Sequence, residues 1–236
     1  MKALGRELRR FLVCLCDGVS LFWLAPAIPL LAAVFEFAQH VVEIRIGLLA
    51  SRESFKALAF DPQRMAFGYP KIAAVWLSML LASRFWANRA AGRAWWSFAT
   101  VAWRPFCLGM ALTLILSIPM LPGLGLPPAI YLAVSLVTLL ATIPVMVLVM
   151  AGLLGDRDAT LAGVFRHGWG KGLRIFAFTM LAAVPLQILH QADHVWAFGK
   201  AAPVVWALMT FDALLVGAMA AIVGTAVHHG YAPPDL

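Results

Sequence analysis

Residues 127–154 read PPAIYLAVSLVTLLATIPVMVLVMAGLL, with no Asp, Glu, Lys, Arg or His among them. A helix that crosses a bilayer needs about 20 mostly apolar residues. This run exceeds that length, so it spans with tilt. Five more stretches have the same character: roughly 17–37, 70–85, 105–121, 174–190 and 202–228. The sequence therefore predicts an all-α polytopic membrane bundle of about six transmembrane helices. The apolar runs extend from one end to the other, so residues 1–236 read as a single integral membrane domain.

Composition agrees. The chain is 63% hydrophobic and 12% charged, against about 25% charged in an ordinary soluble domain. Its net charge of +7 reads as orientation, because Lys and Arg are retained in cytoplasmic loops. No long soluble segment offers a basic surface for nucleic acid. Three cysteines, Cys14, Cys16 and Cys107, provide no disulfide framework. Cys14-x-Cys16 is too sparse for a zinc site.

Six crossings place Lys2, Arg6, Arg9, Arg10, Arg84, Arg89, Arg93, Arg104, Arg157, Arg166, Lys171 and Arg174 on one side. Arg45, Arg52, Lys56, Arg64, Lys71 and Lys200 fall on the other, five of them in one long loop beside Glu36, Glu43, Glu53 and Asp61. Both termini are thus expected in the cytoplasm, with the chain in a bacterial inner membrane. The basic start followed by an apolar run reads as an uncleaved first helix, since the run is too long for a signal peptide.

Proline recurs between apolar neighbours at Pro29, Pro119, Pro144 and Pro185. Each removes a backbone donor and bends its helix. Two readings stand open: kinks in a packed bundle, or broken helices around a transport site. The glycines of 122–127 suit a tight turn.

Amphipathic segments border the spans. Leu161, Val164, Phe165 and Trp169, with Arg157, Arg166 and Lys171, suit a helix lying along the cytoplasmic leaflet against anionic headgroups. Residues 89–104, with Trp95, Trp96 and Trp103, suit the same role more loosely. Ser51 to Phe60 reads as a short amphipathic helix ended by Asp61-Pro62. The first span is expected to run on past the interface, because Glu36, Gln39, His40 and Glu43 share one arc of a helical wheel.

Two polar features carry possible chemistry. Glu36, His40 and Glu43 stand at spacings of four and three; His190, Asp193 and His194 repeat that pattern at the outer end of the fifth span. Imidazoles and carboxylates so spaced can converge on a metal ion, and the two triplets are expected to meet at the outer boundary. The alternative is interfacial polar groups paired with Arg45 or Lys200. Asp212 lies inside the sixth span, where a carboxylate is costly and must face the bundle interior. It serves either as a functional group or as a helix-to-helix hydrogen bond to Ser or Thr. His228 and His229, adjacent on a helix, are expected to point to different sides.

No Walker loop, nucleophile elbow or dinucleotide fingerprint is present. No nucleophile stands beside a base, which argues against an enzyme. A non-enzymatic inner-membrane subunit or small permease remains, with a metal- or haem-binding membrane protein as the alternative. Lipid is the only partner the sequence implies.

Overall fold

A computed structural model describes residues 2–120 and 127–233. The turn expected at 122–127 lies largely outside the described residues. Nine α-helices and no strand occur among those described. They are α1 (Lys2–Leu24), α2 (Ala27–Arg45), α3 (Arg52–Leu58), α4 (Pro62–Ala90), α5 (Trp103–Ser117), α6 (Pro128–Leu154), α7 (Leu161–His167), α8 (Trp169–Ala197) and α9 (Ala202–Tyr231). Five of them, α2, α4, α6, α8 and α9, are long and apolar enough to cross a membrane. The chain is a multi-pass helical membrane protein.

All six apolar stretches lie on helices, with two changes. The stretch 17–37 is not one helix. α1 stops at Leu24 and α2 starts at Ala27, because Pro26 lacks an N–H and disfavours helical backbone at the residue before it. The spanning part is α2 alone. The stretch 105–121 becomes α5, 15 residues long, about 22 Å at 1.5 Å per residue and shorter than a hydrocarbon core of about 30 Å.

The prolines divide by position. Pro144 and Pro185, with Pro70, sit inside helices. Pro29 lies in the first turn of α2, where its missing donor has no partner to lose, and Pro119 lies in a 3-10 turn, Ile118–Met120.

Of the bordering segments, α3 forms as read: the Ser51 hydroxyl accepts from the Ser54 N–H at 3.1 Å. Asp61 then opens α4, its carboxylate accepting from the Gln63 N–H at 2.8 Å. α7 also forms, capped by the Thr160 hydroxyl at the Gly163 N–H, 3.1 Å, but it stops at His167, and Trp169, read as part of the same face, opens α8 instead. Residues 89–104 do not form an amphipathic helix; 91–102 are turns and irregular backbone. Their carbonyls are held by α4 instead. Buried Arg84 donates to the Ser97 carbonyl at 3.0 Å, the Leu153 carbonyl at 2.9 Å and the Thr100 hydroxyl. Asn88 donates to the Trp95 and Ser97 carbonyls at 3.0 and 2.9 Å. A buried guanidinium with several oxygen acceptors competes successfully with the helical ladder.

The contacts group the chain into two compact units: Met1–Ser83 with Met180–Ala226, and Arg84–Thr179 with Val227–Leu236. In the first unit α9 packs closely against α2. A Cβ at Gly217 would stand 2.6 Å from the Pro29 carbonyl oxygen, so only glycine permits this approach. The Ser83 hydroxyl of α4 donates to the Gly224 carbonyl at 2.7 Å. In the second unit Arg174 donates to the Gly230 carbonyl at 2.7 Å. There too, His228 and His229 do not point apart; their Nδ1 atoms lie 3.0 Å from one another.

α2 is inverted relative to a helix in water. Glu36, Gln39, His40 and Glu43 are buried, while Leu30, Val34 and Phe37 are exposed. The polar stripe predicted past the interface is the face that packs inward. An apolar exterior costs nothing in lipid, whereas a polar side chain there does.

Candidate functional site

The first unit gathers the singled-out residues from three helices. α2 contributes Glu36, His40 and Glu43 on successive turns of one face. α8 contributes His190 and His194, also one turn apart. α9 contributes Asp212, wholly buried. Asp212 bridges the other two helices: Oδ2 lies 2.9 Å from His40 Nε2 and Oδ1 lies 2.7 Å from His190 Nδ1. His40 Nδ1 lies 2.8 Å from Glu43 Oε2, and its Nε2 is 3.4 Å from Glu36 Oε1. His194 Nε2 is 4.0 Å from Glu43 Oε2. The two triplets therefore meet, directly where His194 lies beside His40 and Glu43 and through Asp212 where it holds His40 and His190.

Asp193 is the exception. It is buried close to Asp212 and His190, but neither of its carboxylate oxygens has a hydrogen-bond partner. The partners of Asp212 are histidines, not Ser or Thr. The cations that pair with the α2 carboxylates are Arg64 and Lys71 of α4, in place of Arg45 or Lys200. Arg64 Nε donates to Glu43 at 2.7 Å and Lys71 to Glu36 at 3.2 Å. Seven residues separate these two, which is two turns on one face of α4. The signal was present in the sequence, but 62–69 read as loop and so carried no face.

The hydrogen-bond pattern constrains where protons sit. A neutral imidazole has one N–H, yet both nitrogens of His40 face carboxylate oxygens. Either His40 is imidazolium or a proton sits on Glu43 or Asp212. His194 is simpler: Nδ1 lies 3.0 Å from the His190 carbonyl, an acceptor only, so Nδ1 carries a proton, and in the neutral ring Nε2 keeps a lone pair.

Three sets of three residues bring ligand atoms within 4.8 Å of one another: His40, Glu43 and His194; His190, His194 and Asp212; Glu36, His40 and Asp212. Cys14 and Cys16 diverge, one buried and one exposed. A cavity of about 530 Å³ opens onto His190 and His194, and Arg52, Lys56, Arg64 and Lys71 also line it.

Comparison of this chain with protein-family models, curated proteins and solved structures finds no match. The site's chemistry alone carries the functional reading.

Proposed function

We propose that this multi-pass membrane protein binds a divalent first-row transition ion at His190, His194 and Asp212, in a bacterial inner membrane where the short apolar α5 crosses as a sixth span and so leaves both termini cytoplasmic. The observation that carries the reading is the convergence of imidazole and carboxylate ligand atoms within 4.8 Å inside one helical unit. Two imidazoles and one carboxylate, with no thiolate in the set, suit zinc, iron or manganese better than soft copper(I). This set is favoured over the other two because His190 and His194 also line the cavity, which gives an ion a way in and an open coordination position.

Surrounding groups behave as supports for such a centre. The His194 Nδ1 proton held on the His190 carbonyl aims Nε2 as a ligand. His40 holds the second oxygen of Asp212. Binding displaces the proton between His190 Nδ1 and Asp212 Oδ1, so uptake releases protons. Buried Asp193, with neither oxygen paired, leaves two acceptor oxygens beside the set, and a bound ion or its water gives them a partner.

A second reading has its own observation. His40 bridges Glu43 and Asp212 while Arg64 and Lys71 neutralise Glu43 and Glu36, so the network is largely satisfied without an ion. The two readings separate on metal content. Full-length protein purified in detergent and dialysed against zinc, iron(II) or manganese is expected to retain one ion per chain. His190→Ala and His194→Ala should each lose it while eluting as the same detergent-solubilised species. Metal content no higher in wild type than in these variants would leave the ion-free network as the answer.

A further inference from the structure

We infer that the first unit holds one anionic phospholipid, its phosphoryl group in the cationic cavity and an acyl chain in a neighbouring apolar one. This goes beyond metal binding and does not need it. The larger cavity is ringed by Arg52 and Lys56 on α3 and by Arg64 and Lys71 on α4, with Phe55, Val195 and Phe198 between them. A second cavity of about 250 Å³ is lined by Ile72, Val75, Trp76, Val216 and Met219, with Glu36, paired to Lys71, at its polar end. Both are lined by Lys71, Gln187 and His190, so a cationic chamber and an apolar one meet along one wall.

The charges explain why the occupant is an anion. Arg64 commits Nε to Glu43 and a terminal nitrogen to the Ala59 carbonyl, 2.6 Å away. Lys71 is committed to Glu36. Arg52 and Lys56 stand one turn apart on α3, exposed. A phosphoryl group accepts from several such donors at once, and Arg suits it geometrically. The side of the second cavity explains why the occupant is a lipid. Ile72 and Trp76 are 52% and 41% exposed on a helix apolar enough to span, so this chamber opens where acyl chains lie. Free phosphate would fill the first chamber and leave the second empty.

The test uses EDTA-treated full-length protein in detergent, mixed with phosphatidylglycerol or phosphatidylcholine of equal chain length, and native mass spectrometry to count bound lipid. Wild type is expected to retain one phosphatidylglycerol and little phosphatidylcholine. Arg52→Gln/Lys56→Gln, which alters two exposed side chains, should weaken retention about thirtyfold; headgroup attraction is about 1 kcal/mol per basic residue and 1.4 kcal/mol is tenfold. Trp76→Ala should weaken lipid retention and leave the affinity for inorganic phosphate, measured on lipid-free protein, unchanged. Equal retention of the two lipids, or unchanged retention in the double variant, would overturn the proposal. Equal displacement by inorganic phosphate and by short-chain phosphatidylglycerol would also overturn it, in favour of a free-phosphate site. Because metal is absent throughout, failure here leaves the metal reading untouched, and metal content tests that reading separately.

Discussion

Asp212→Ala removes the one acceptor that ties α2 to α8 through α9. Two buried contacts vanish together, one to His40 at 2.9 Å and one to His190 at 2.7 Å. In water-soluble proteins a hydrogen bond to a charged group contributes about 1.5–3 kcal/mol. Within membrane bundles measured couplings average about 0.6 and reach about 1.7 kcal/mol, because the unfolded chain also finds partners. Burial and short distances place both bonds at the upper membrane value, so the loss is about 3 kcal/mol. For a chain of this size 1 kcal/mol shifts Tm by about 2–4 °C, which gives a fall of about 6–12 °C. Asp212→Asn keeps one acceptor oxygen and turns an N–H₂ toward the other imidazole, so about half that loss is expected. The assay is thermal unfolding of EDTA-treated protein in detergent, followed by tryptophan fluorescence. A double-mutant cycle with His40→Ala isolates the pair, with a coupling of about 1–2 kcal/mol expected. A Tm within about 2 °C of wild type, or strict additivity in the cycle, would refute the bridging role of Asp212.

Arg84→Ala should cost about 3–5 kcal/mol, since it strips donors from the Ser97 and Leu153 carbonyls in a buried setting; Arg84→Lys should recover less than half, because an ammonium cannot reproduce the fork, and a fully stable lysine variant would contradict this. Gly217→Val places side-chain atoms against the Pro29 carbonyl and should destabilise by about 1–3 kcal/mol, whereas Gly170→Ala, with open space around it, should be silent in the same melts. For topology, a reporter fused after Leu236 is expected in the cytoplasm and one inserted within 122–127 on the opposite side. One compartment for both would reject the orientation read from Lys and Arg.

The membrane class was legible because a run such as 127–154 admits no other solvent. Helix limits were less so. Pro26 breaks the first stretch, yet Pro29, Pro144 and Pro185 do not break theirs; composition alone does not distinguish a proline in a first turn or a tolerated kink from a stop. The site was legible as two spaced triplets and one buried carboxylate, since periodicity fixes which side chains share a helical face. It did not reveal that Asp212 joins them, because that depends on how α2, α8 and α9 are arranged around one another. Arg64 and Lys71 were missed for a local reason: α4 begins at Pro62, eight residues before the apolar run, and charged residues in that overhang look like loop. Residues 89–104 misled through their tryptophans, which sit at the spacing of an interfacial helix while Arg84 and Asn88 hold the backbone in turns.

X-ray absorption at the metal edge of as-purified full-length protein tests the metal centre most directly. A centre built on His190, His194 and Asp212 gives a nitrogen and oxygen shell at about 2.0–2.2 Å with the outer scattering of imidazole rings, lost together in His190→Ala. A shell of sulfur at about 2.3 Å, or a nitrogen and oxygen shell unchanged in His190→Ala, would place the ion elsewhere and contradict the assignment.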